Sequence, residues 1–309
     1  MASAAAVLGL ALLPYLVPLP EREPWPGASP FPNGEMVEAC GIRWHVQVWR
    51  AGWFARGRAI LLHGLGGSSF SWRYTGPALA DAGFDAIAID LPPWGYSERR
   101  KPRGDLATCL VELADRVGGP DPVAAIGHSM GASVASLLAE RLGSRAFALV
   151  LVDGVPQGRR AGRGLFGLLS YPPFSRYAEL FAHWRLLGRE SFARSLSSAY
   201  GRPATAEEVE GYLRPLKIAG TAGAVFAFGF YGGGGGRWDQ PTLLIWGRED
   251  RWVPPQVAER FLARFPSARI AWIEEAAHNP METHPQAFHD ALLGFLSESI
   301  RSQPLRREE

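Results

Sequence analysis

From residue 35 onward, short apolar runs alternate with longer segments in which apolar residues recur at helical spacing. Short apolar runs are typical of strands buried on both faces, and such strands separated by helices are typical of a parallel sheet. The pattern predicts strands near residues 43–50, 59–63, 86–91, 123–127, 147–153, 242–247 and 269–273. It predicts helices near residues 71–82, 105–117, 129–142, 255–265 and 285–298. We therefore expect an α/β protein with a mostly parallel sheet flanked by helices.

Residues 154–237 interrupt this alternation. No apolar run typical of a buried strand occurs there, and aromatic residues recur among helix-forming residues. The unbroken glycine run at residues 232–236 favours a flexible return to the sheet. We predict a helical insertion whose aromatic side chains pack a small core of their own or line a substrate pocket. Residues 35–153 and 238–300 then form the core, and residues 301–309 form a polar tail.

The first 20 residues, beginning at Met1 and ending at Pro20, carry no charge and approach the ~20 apolar residues that span a bilayer. Pro14 and Pro18 are expected to interrupt any helix there, and no basic residue precedes the apolar run as in a secretory signal. We predict membrane association through this segment in an otherwise cytoplasmic protein. A retained signal sequence, or an N-terminus that is disordered or packed on the body, remains an alternative.

Residues 21–34 contain four prolines. This composition predicts an extended, semi-rigid spacer that lets the folded body stand clear of a membrane.

The amino-acid composition mainly excludes certain classes of protein and partner. With 47% hydrophobic and 20% charged residues, the 309 residues can bury a large core, which excludes a disordered or fibrous protein. The net charge of +2 gives no reason to expect a nucleic-acid partner. Cys40 and Cys109 have neither metal-ligand spacing nor a disulfide framework, so one bridge and two free thiols both fit.

The sequence Gly-His-Ser-Met-Gly at residues 127–131 stands between a predicted strand and a predicted helix. This position places Ser129 on a sharp strand-to-helix turn, which exposes a serine hydroxyl as a nucleophile. A glycine on each side fits, because a strained turn brings the backbone close to neighbours that a Cβ atom would strike. The alternative, that Ser129 caps an ordinary helix, does not account for the residues described next.

A serine hydroxyl becomes an effective nucleophile only when a base accepts its proton. The chain has seven histidines. His278 is the strongest candidate, because it follows the last predicted strand in a loop that can return across the carboxyl edge of the sheet. His284 is the main rival, although its place before Pro285 favours a helix start.

The base needs an acid that orients the imidazole and stabilises its protonated form. The strand predicted at residues 242–247 is followed by Glu249 and Asp250. We favour Asp250, while spacing alone leaves Glu249 open. The predicted nucleophile, acid and base therefore occur in the order Ser129, Asp250, His278.

Negative charge that develops on a reacting carbonyl oxygen must be stabilised by N–H donors. The glycine-rich stretch at residues 63–67 follows a predicted strand. We predict that the backbone N–H groups of Leu65 and Met130 form this oxyanion hole. A phosphate-binding loop is the alternative, but neither a P-loop lysine nor a full dinucleotide fingerprint follows.

Residues 36–295 resemble the α/β-hydrolase fold family in five ordered motifs. The similar segments are His63-Gly64 of the oxyanion loop, Asp-Leu-Pro-Pro-Trp-Gly-Tyr-Ser at residues 90–97, the nucleophile turn at residues 127–131, the acid loop at residues 246–250, and His278 followed by Glu282 and Pro285. The order of nucleophile, acid and base is also that of this family. The resemblance implies an α/β-hydrolase fold of the serine-nucleophile branch, with residues 154–237 as a helical cap.

Departures from the family pattern narrow the expected activity. Ser129 stands where the related dehalogenases and epoxide hydrolases have Asp. Carbon–carbon bond hydrolases of this fold have Ser, but their oxyanion loop usually continues with Pro-Gly and a nearby Asn, which residues 66–69 lack. Pro93 replaces a usual Gly at a position that touches no predicted catalytic group.

We therefore expect a serine hydrolase, carboxylesterase or lipase-like, that cleaves a small-molecule ester with an apolar part through an acyl-enzyme. No cofactor or metal is expected. Carbon–carbon bond hydrolysis or acyl transfer by the same triad remains an alternative, as does noncatalytic ligand binding on this fold. Specificity is expected to depend on the insertion.

Overall fold

The computed structural model describes residues 2–18, 22–53, 55–119, 122–156, 173–228 and 239–302. Within these ranges, eight strands form one sheet in the order β1-β2-β4-β3-β5-β6-β7-β8. They are β1 (Gly34–Ala39), β2 (Ile42–Trp49), β3 (Gly57–Leu62), β4 (Phe84–Ile89), β5 (Val123–His128), β6 (Ala146–Val152), β7 (Thr242–Gly247) and β8 (Arg269–Ile273). β2 is antiparallel to both of its neighbours, and every other pair is parallel. The predicted mostly parallel sheet is confirmed.

The sequence pattern did not predict β1. This strand lies at the edge of the sheet, and its sequence Gly-Glu-Met-Val-Glu-Ala is only partly buried. It lacks the apolar run on which the other strand predictions depend.

Helices cover both faces of the sheet. Those described are α1 (Ala2–Leu16), α2 (Thr75–Asp81), α3 (Leu106–Gly118), α4 (Met130–Leu142), α5 (Phe174–Phe181), α6 (Arg189–Tyr200), α7 (Ala206–Leu216), α8 (Thr221–Phe228), α9 (Gln256–Arg264), α10 (Pro280–Thr283) and α11 (Pro285–Arg301). Successive side chains of a strand point to opposite faces. Ile60 and Leu62 of β3 therefore join the core under α3, α4 and α9, while Leu61 joins the core under α2 and α11.

A disulfide joins Cys40, in the turn between β1 and β2, to Cys109 in α3. The Cα atoms of the two residues are 5.6 Å apart. Of the two outcomes that the sequence left open, the structure contains the bridge. The crosslink ties the edge of the sheet to a helix of the core.

We expect the C40S/C109S double variant to have a free energy of unfolding about 2–4 kcal/mol lower than the wild type, because a crosslink restricts the unfolded chain. Denaturant unfolding with and without reductant measures this difference. Reductant should lower the wild-type midpoint and leave that of the variant unchanged. Two titratable thiols in unreduced wild-type protein would show that the bridge does not form in solution.

The helix α1 corrects the prediction that prolines interrupt any helix in the first 20 residues. It continues past Pro14 to its end at Leu16. Because proline has no N–H, the carbonyl of Leu10 loses its helical partner, and the hydroxyl of Tyr177 donates to that carbonyl at 2.6 Å. Arg176 also donates to the carbonyl of Pro14 at 3.2 Å. The hydroxyl of Tyr177 therefore replaces the hydrogen bond that Pro14 removes, and Arg176 satisfies a further carbonyl near the end of the helix.

Among the described residues, no helix is both long enough and apolar enough to cross a membrane. In the structure α1 lies against α5, where Arg176 and Tyr177 donate to its carbonyl groups. Pro20 lies outside the described residues.

Residues 22–34 have little regular structure, as their prolines predict, but they do not hold the body away from α1. Trp25 Nε1 donates to the carbonyl of Tyr96 at 2.8 Å. The carbonyl of Glu23 accepts the N–H of Ala219 at 2.9 Å. The segment is therefore attached to both the core and the insertion.

The described part of the insertion is helical, as predicted, and consists of α5, the π-helical turn Ala182–Leu186, α6, α7 and α8. Thr205 begins α7 with a capping box, in which it exchanges hydrogen bonds with Glu208. A small core of the insertion is formed by Leu196, Tyr200, Val209, Tyr212 and Leu213. The glycine run at residues 232–236, the boundary at Arg237, Phe166 and Tyr171 lie outside the described residues.

Candidate active site

Ser129 occupies the sharp turn between β5 and α4 that the sequence predicts. Its backbone has φ +52° and ψ −117°, a conformation that residues other than glycine rarely adopt. A Cβ atom at Gly127 would strike the backbone of Gly131, and one at Gly131 would strike the carbonyl of Leu62. The two glycines therefore permit the tight turn that presents Ser129 at the carboxyl end of β5.

The three predicted catalytic side chains form one chain of hydrogen bonds. His278 Nε2 is 3.1 Å from Ser129 Oγ, and His278 Nδ1 is 2.7 Å from Asp250 Oδ2. With Nδ1–H donating to Asp250, Nε2 of a neutral ring has a lone pair for the Ser129 proton. The rival base His284 instead begins α11 and pairs with Thr283 at 2.9 Å.

Asp250, and not the exposed Glu249, faces the base. Asp250 Oδ1 accepts the N–H groups of Trp252 at 2.8 Å and Val253 at 3.0 Å. Burial by itself would raise the pKa of Asp250, but the hydrogen bond from His278 and these N–H groups outweigh it and hold the pKa below its ordinary value. The acid therefore stays ionised beside the imidazole.

The glycine-rich loop at residues 63–67 lies next to the nucleophile. A Cβ atom at Gly64 would be 3.1 Å from Ser129 Cβ, and Leu65 lines the same cavity as His278. Met130 is the first residue of α4, so its N–H has no acceptor inside the helix. Both predicted oxyanion donors, Leu65 and Met130, are therefore near Ser129.

His63 holds this loop in place. Its Nε2 accepts the N–H of Leu91 at 2.9 Å, and its Nδ1 is 2.7 Å from the carbonyl of Gly64. These partners require a neutral ring with its hydrogen on Nδ1. Burial lowers the pKa of His63, which favours that neutral form.

His128 holds the backbone of the base. Its Nε2 donates to the carbonyl of His278 at 2.8 Å, while the N–H of His278 donates to the carbonyl of Ala199 in α6 at 2.9 Å. Burial, with a contribution from His278, lowers the pKa of His128 to about 3, so the ring is uncharged near neutral pH. The ring of Trp252 stacks on His278 with centroids 5.6 Å apart.

A cavity of about 120 Å³ lies beside His278. The core contributes Leu65 and Trp252 to its wall, and α6 contributes Phe192, Leu196 and Ala199. Sites with mostly apolar walls and a few polar groups bind ligands with a substantial apolar part. The described part of the insertion therefore helps to form the pocket, in addition to packing its own core.

Glu282 joins the insertion to the core, a role that its place in the histidine segment did not reveal. Its buried carboxylate accepts the hydroxyl hydrogens of Tyr200 at 2.8 Å and of Tyr212. Asn279 Nδ2 also donates to it at 2.9 Å, and Arg73 forms an ion pair with it. Arg73, Tyr200 and Tyr212 come from distant parts of the chain, so no local sequence signal indicates the network.

We expect Glu282→Gln to lower the free energy of unfolding by about 1.5–3 kcal/mol, because the guanidinium of Arg73 loses its nearest carboxylate and keeps only Glu208, at 3.9 Å. Denaturant unfolding measures the change. Glu298→Gln is the matched control, since Glu298 pairs with Arg269 at the surface and should cost less than about 0.5 kcal/mol. Equal stability of the two variants would contradict the proposed attachment.

The described residues contain a second Ser–His–Asp array. His45 Nδ1 is 2.7 Å from Asp90 Oδ2, and His45 Nε2 is 2.9 Å from Ser29 Oγ. Ser29 lies in the proline-rich segment and not on a strand-to-helix turn. Asp90 also accepts the N–H of Tyr96 at 2.7 Å. We interpret this array as a structural link that fastens residues 22–34 to the sheet.

The fold and the site together define a class of protein. A serine on a strained turn, a histidine hydrogen-bonded to a buried acid, and adjacent N–H donors are the parts of a serine hydrolase site on an α/β sheet.

Comparison with known proteins gives the family. Residues 59–291 match the model of the alpha/beta hydrolase family. The chain is 34% identical over 250 residues to a pimeloyl-[acyl-carrier protein] methyl ester esterase of Cronobacter sakazakii, which covers 76% of this chain and 90% of that protein. It is 29% identical to 2-hydroxy-6-oxononadienedioate/2-hydroxy-6-oxononatrienedioate hydrolase 2 of Pseudomonas putida, over 77% of this chain and 86% of that protein. The chain belongs to the alpha/beta hydrolase family.

A solved structure supports the same fold. A thermophilic esterase from Thermogutta terrifontis matches with a TM-score of 0.66 at 20% identity, over 86% of this chain and 99% of that chain. At this level of identity the match shows the fold alone.

Proposed function

We propose that the protein is a serine hydrolase that cleaves carboxylic esters through an acyl-enzyme. The observation that carries this proposal is the hydrogen-bonded chain from Asp250 through His278 to Ser129 Oγ, beside an apolar cavity. The 34% identical relative named as a methyl ester esterase supports an ester as the substrate.

The reaction follows from the positions of these groups. Ser129 Oγ attacks the ester carbonyl carbon while His278 Nε2 accepts the hydroxyl proton. The N–H groups of Leu65 and Met130 stabilise the oxyanion. His278, oriented by Asp250, then gives the proton to the alcohol oxygen as the C–O bond breaks. Water activated by the same ring hydrolyses the acyl-enzyme and restores Ser129.

The cavity volume supports a limit on the apolar part of the substrate. An apolar protein cavity of about 150 Å³ holds one benzene ring, and the cavity here measures about 120 Å³. We therefore expect short acyl groups, smaller than about six carbon atoms, to fit inside it, and longer chains to extend out of it.

Carbon–carbon bond hydrolysis is the second candidate, because relatives at 25–29% identity are named as hydrolases of 2-hydroxy-6-oxononadienedioate. A series of nitrophenyl esters of increasing acyl length, assayed beside a vinylogous diketone, separates the two. We expect the fastest turnover with short-chain esters and slower cleavage of the diketone. Faster cleavage of the diketone than of every ester would overturn the ester proposal.

We also propose that α1 places the enzyme at a membrane surface without crossing the bilayer. The helix has no charged residue, and Leu8, Leu12 and Leu16, spaced by one helical turn, are 60%, 53% and 78% exposed. Phe181, in the helix α5 that contacts α1, is also exposed. Contiguous exposed apolar side chains favour burial in the lipid interface, at roughly 25 cal/mol per Å².

Flotation with phospholipid vesicles tests the membrane proposal. The full chain should float with the vesicles, and the triple variant L8Q/L12Q/L16Q should stay in the soluble fraction with unchanged turnover of a water-soluble ester. Trp53→Ser is the control, because Trp53 is fully exposed but lies in the loop between β2 and β3. If the triple variant floats as well as the wild type, α1 is not the membrane contact.

A further inference from the structure

Asp153 is a fully buried carboxyl group next to the catalytic acid, and the mechanism above does not use it. It follows β6 directly, with φ +43°. Its N–H donates to the carbonyl of Ile245 in β7 at 3.1 Å, which fixes its backbone. Oxygen atoms of Asp153 and Asp250 and a ring nitrogen of His278 all lie within 4.8 Å of one another.

The two side-chain oxygens of Asp153 have different surroundings. Oδ1 accepts the N–H of Gly247 at 2.9 Å. Oδ2 is buried, and no N–H or hydroxyl group in the described ranges donates to it. A buried carboxylate oxygen without a donor is costly, whereas the same oxygen carrying a hydrogen becomes a donor that needs an acceptor. The carboxylate of Asp250 is the acceptor beside it.

The surroundings of this pair shift the pKa values of its two carboxyl groups in opposite directions. Burial, followed by the negative charge of Asp250, raises the pKa of Asp153 well above its ordinary value, while that of Asp250 is lowered. His278 faces the pair from the loop after β8, and the uncharged ring of His128 contacts His278 from β5. Two carboxyl groups in such different environments share one proton rather than ionising together.

We propose that Asp153 is protonated at neutral pH and donates its hydrogen to the carboxylate of Asp250, and so acts as a positioning residue for the catalytic acid. Asp250 then accepts hydrogen bonds from two backbone N–H groups, from His278 and from Asp153, which leaves it a single orientation. That orientation determines where His278 Nε2 meets Ser129 Oγ. This inference rests on the proposed triad function and adds a fourth side chain to it.

Two substitutions distinguish the effect of the Asp153 proton from the effect of its hydrogen bonds. In Asp153→Asn the amide is neutral at every pH, its oxygen can accept the Gly247 N–H, and its NH₂ group can donate to Asp250. In Asp153→Ala both bonds are lost. The exposed neighbour Glu249 provides the control Glu249→Gln, which changes charge near Asp250 without touching the pair.

We expect Asp153→Ala to lower kcat by about 10- to 100-fold with little change in KM, because a misplaced acid misdirects the base. Asp153→Asn should restore kcat to within about threefold of the wild type, since its amide replaces the donor. If Asp153→Ala lowers only the unfolding temperature and leaves kcat unchanged, Asp153 merely joins β6 to β7 and the proposal fails.

The pH profile of kcat/KM reports the protonation of the free enzyme's base, and it tests the proton directly. If Asp153 is already neutral, Asp153→Asn removes no charge and the acid limb stays where it is in the wild type. If Asp153 were an anion, its removal would take a negative charge away from His278 and move the acid limb to lower pH by about one unit. A shift of the acid limb to lower pH in Asp153→Asn would overturn the proposal. This test does not depend on whether the alanine variant folds.

An infrared difference spectrum between wild type and Asp153→Asn at neutral pH needs no substrate. It should contain the carbonyl band of a protonated carboxyl group, and its absence would refute the proposal whatever the substrate is.

A divalent cation held by Asp153, Asp250 and His278 is the competing arrangement. Loss of activity with a chelator, reversed by one divalent metal, would establish that arrangement and exclude the shared proton.

Discussion

Ser129→Ala and His278→Ala should each lower kcat by about 10⁴-fold or more, because members of a triad act as a unit. Neither substitution removes a contact between the sheet and its helices, so unfolding curves should stay close to those of the wild type. Steady-state hydrolysis of a nitrophenyl ester measures the loss.

Covalent labelling provides the control for this result. A serine-reactive phosphonate should label Ser129 and give no adduct with Ser129→Ala. Ser29 is a matched comparison, because its hydroxyl is 2.9 Å from a histidine nitrogen, as against 3.1 Å for Ser129. Ser29→Ala should keep both activity and labelling. An adduct on Ser29, or near-normal turnover by Ser129→Ala, would place the nucleophile elsewhere.

Asp250→Asn should lower kcat by about 10³- to 10⁴-fold, because an amide at this position no longer holds His278 in the tautomer that accepts the serine proton. The adjacent Glu249→Gln should change kcat by less than about twofold, since an exposed carboxylate beside the site exerts only a screened charge effect. Glu249 and Asp250 are neighbours in the loop after β7, so the Glu249→Gln variant serves as the control for Asp250→Asn.

The ranking of these two variants decides which residue is the acid. A larger loss for Glu249→Gln would mean that the loop after β7 is arranged differently in solution. Asp250→Asn could also act by unfolding the loop, so circular dichroism of each variant should accompany the kinetics. Retention of the wild-type spectrum by an inactive Asp250→Asn identifies a catalytic loss.

The sequence was sufficient to predict the sheet core and the closeness of Ser129, Asp250 and His278, because both depend on local patterns. Buried strands such as β5 and β6 are continuous apolar runs, and Ser129, Asp250 and His278 each follow such a run. The carboxyl ends of parallel strands lie at one edge, so strand order alone brings residues far apart in sequence together.

The sequence could not predict features that depend on pairings between distant segments. Asp153 reads as an ordinary residue after a strand, and only the fold shows that it lies beside Asp250 with an unmatched oxygen. Glu282 likewise needs Arg73, Tyr200 and Tyr212 to become a point of attachment. Pro14 was expected to interrupt a helix. The helix α1 continues past it, and side chains of α5 hydrogen-bond to carbonyl groups of α1.

Because of the Cys40–Cys109 bridge, the stability of the enzyme depends on whether a sample was prepared under oxidising or reducing conditions. A reducing cytosol keeps thiols separate, whereas a secretory route oxidises them. Neither cysteine lines the described cavity, so two batches from the same gene could share catalytic constants and still differ in shelf life. Storage experiments should therefore record the oxidation history of each batch, because heat resistance will otherwise vary between laboratories that measure the same turnover.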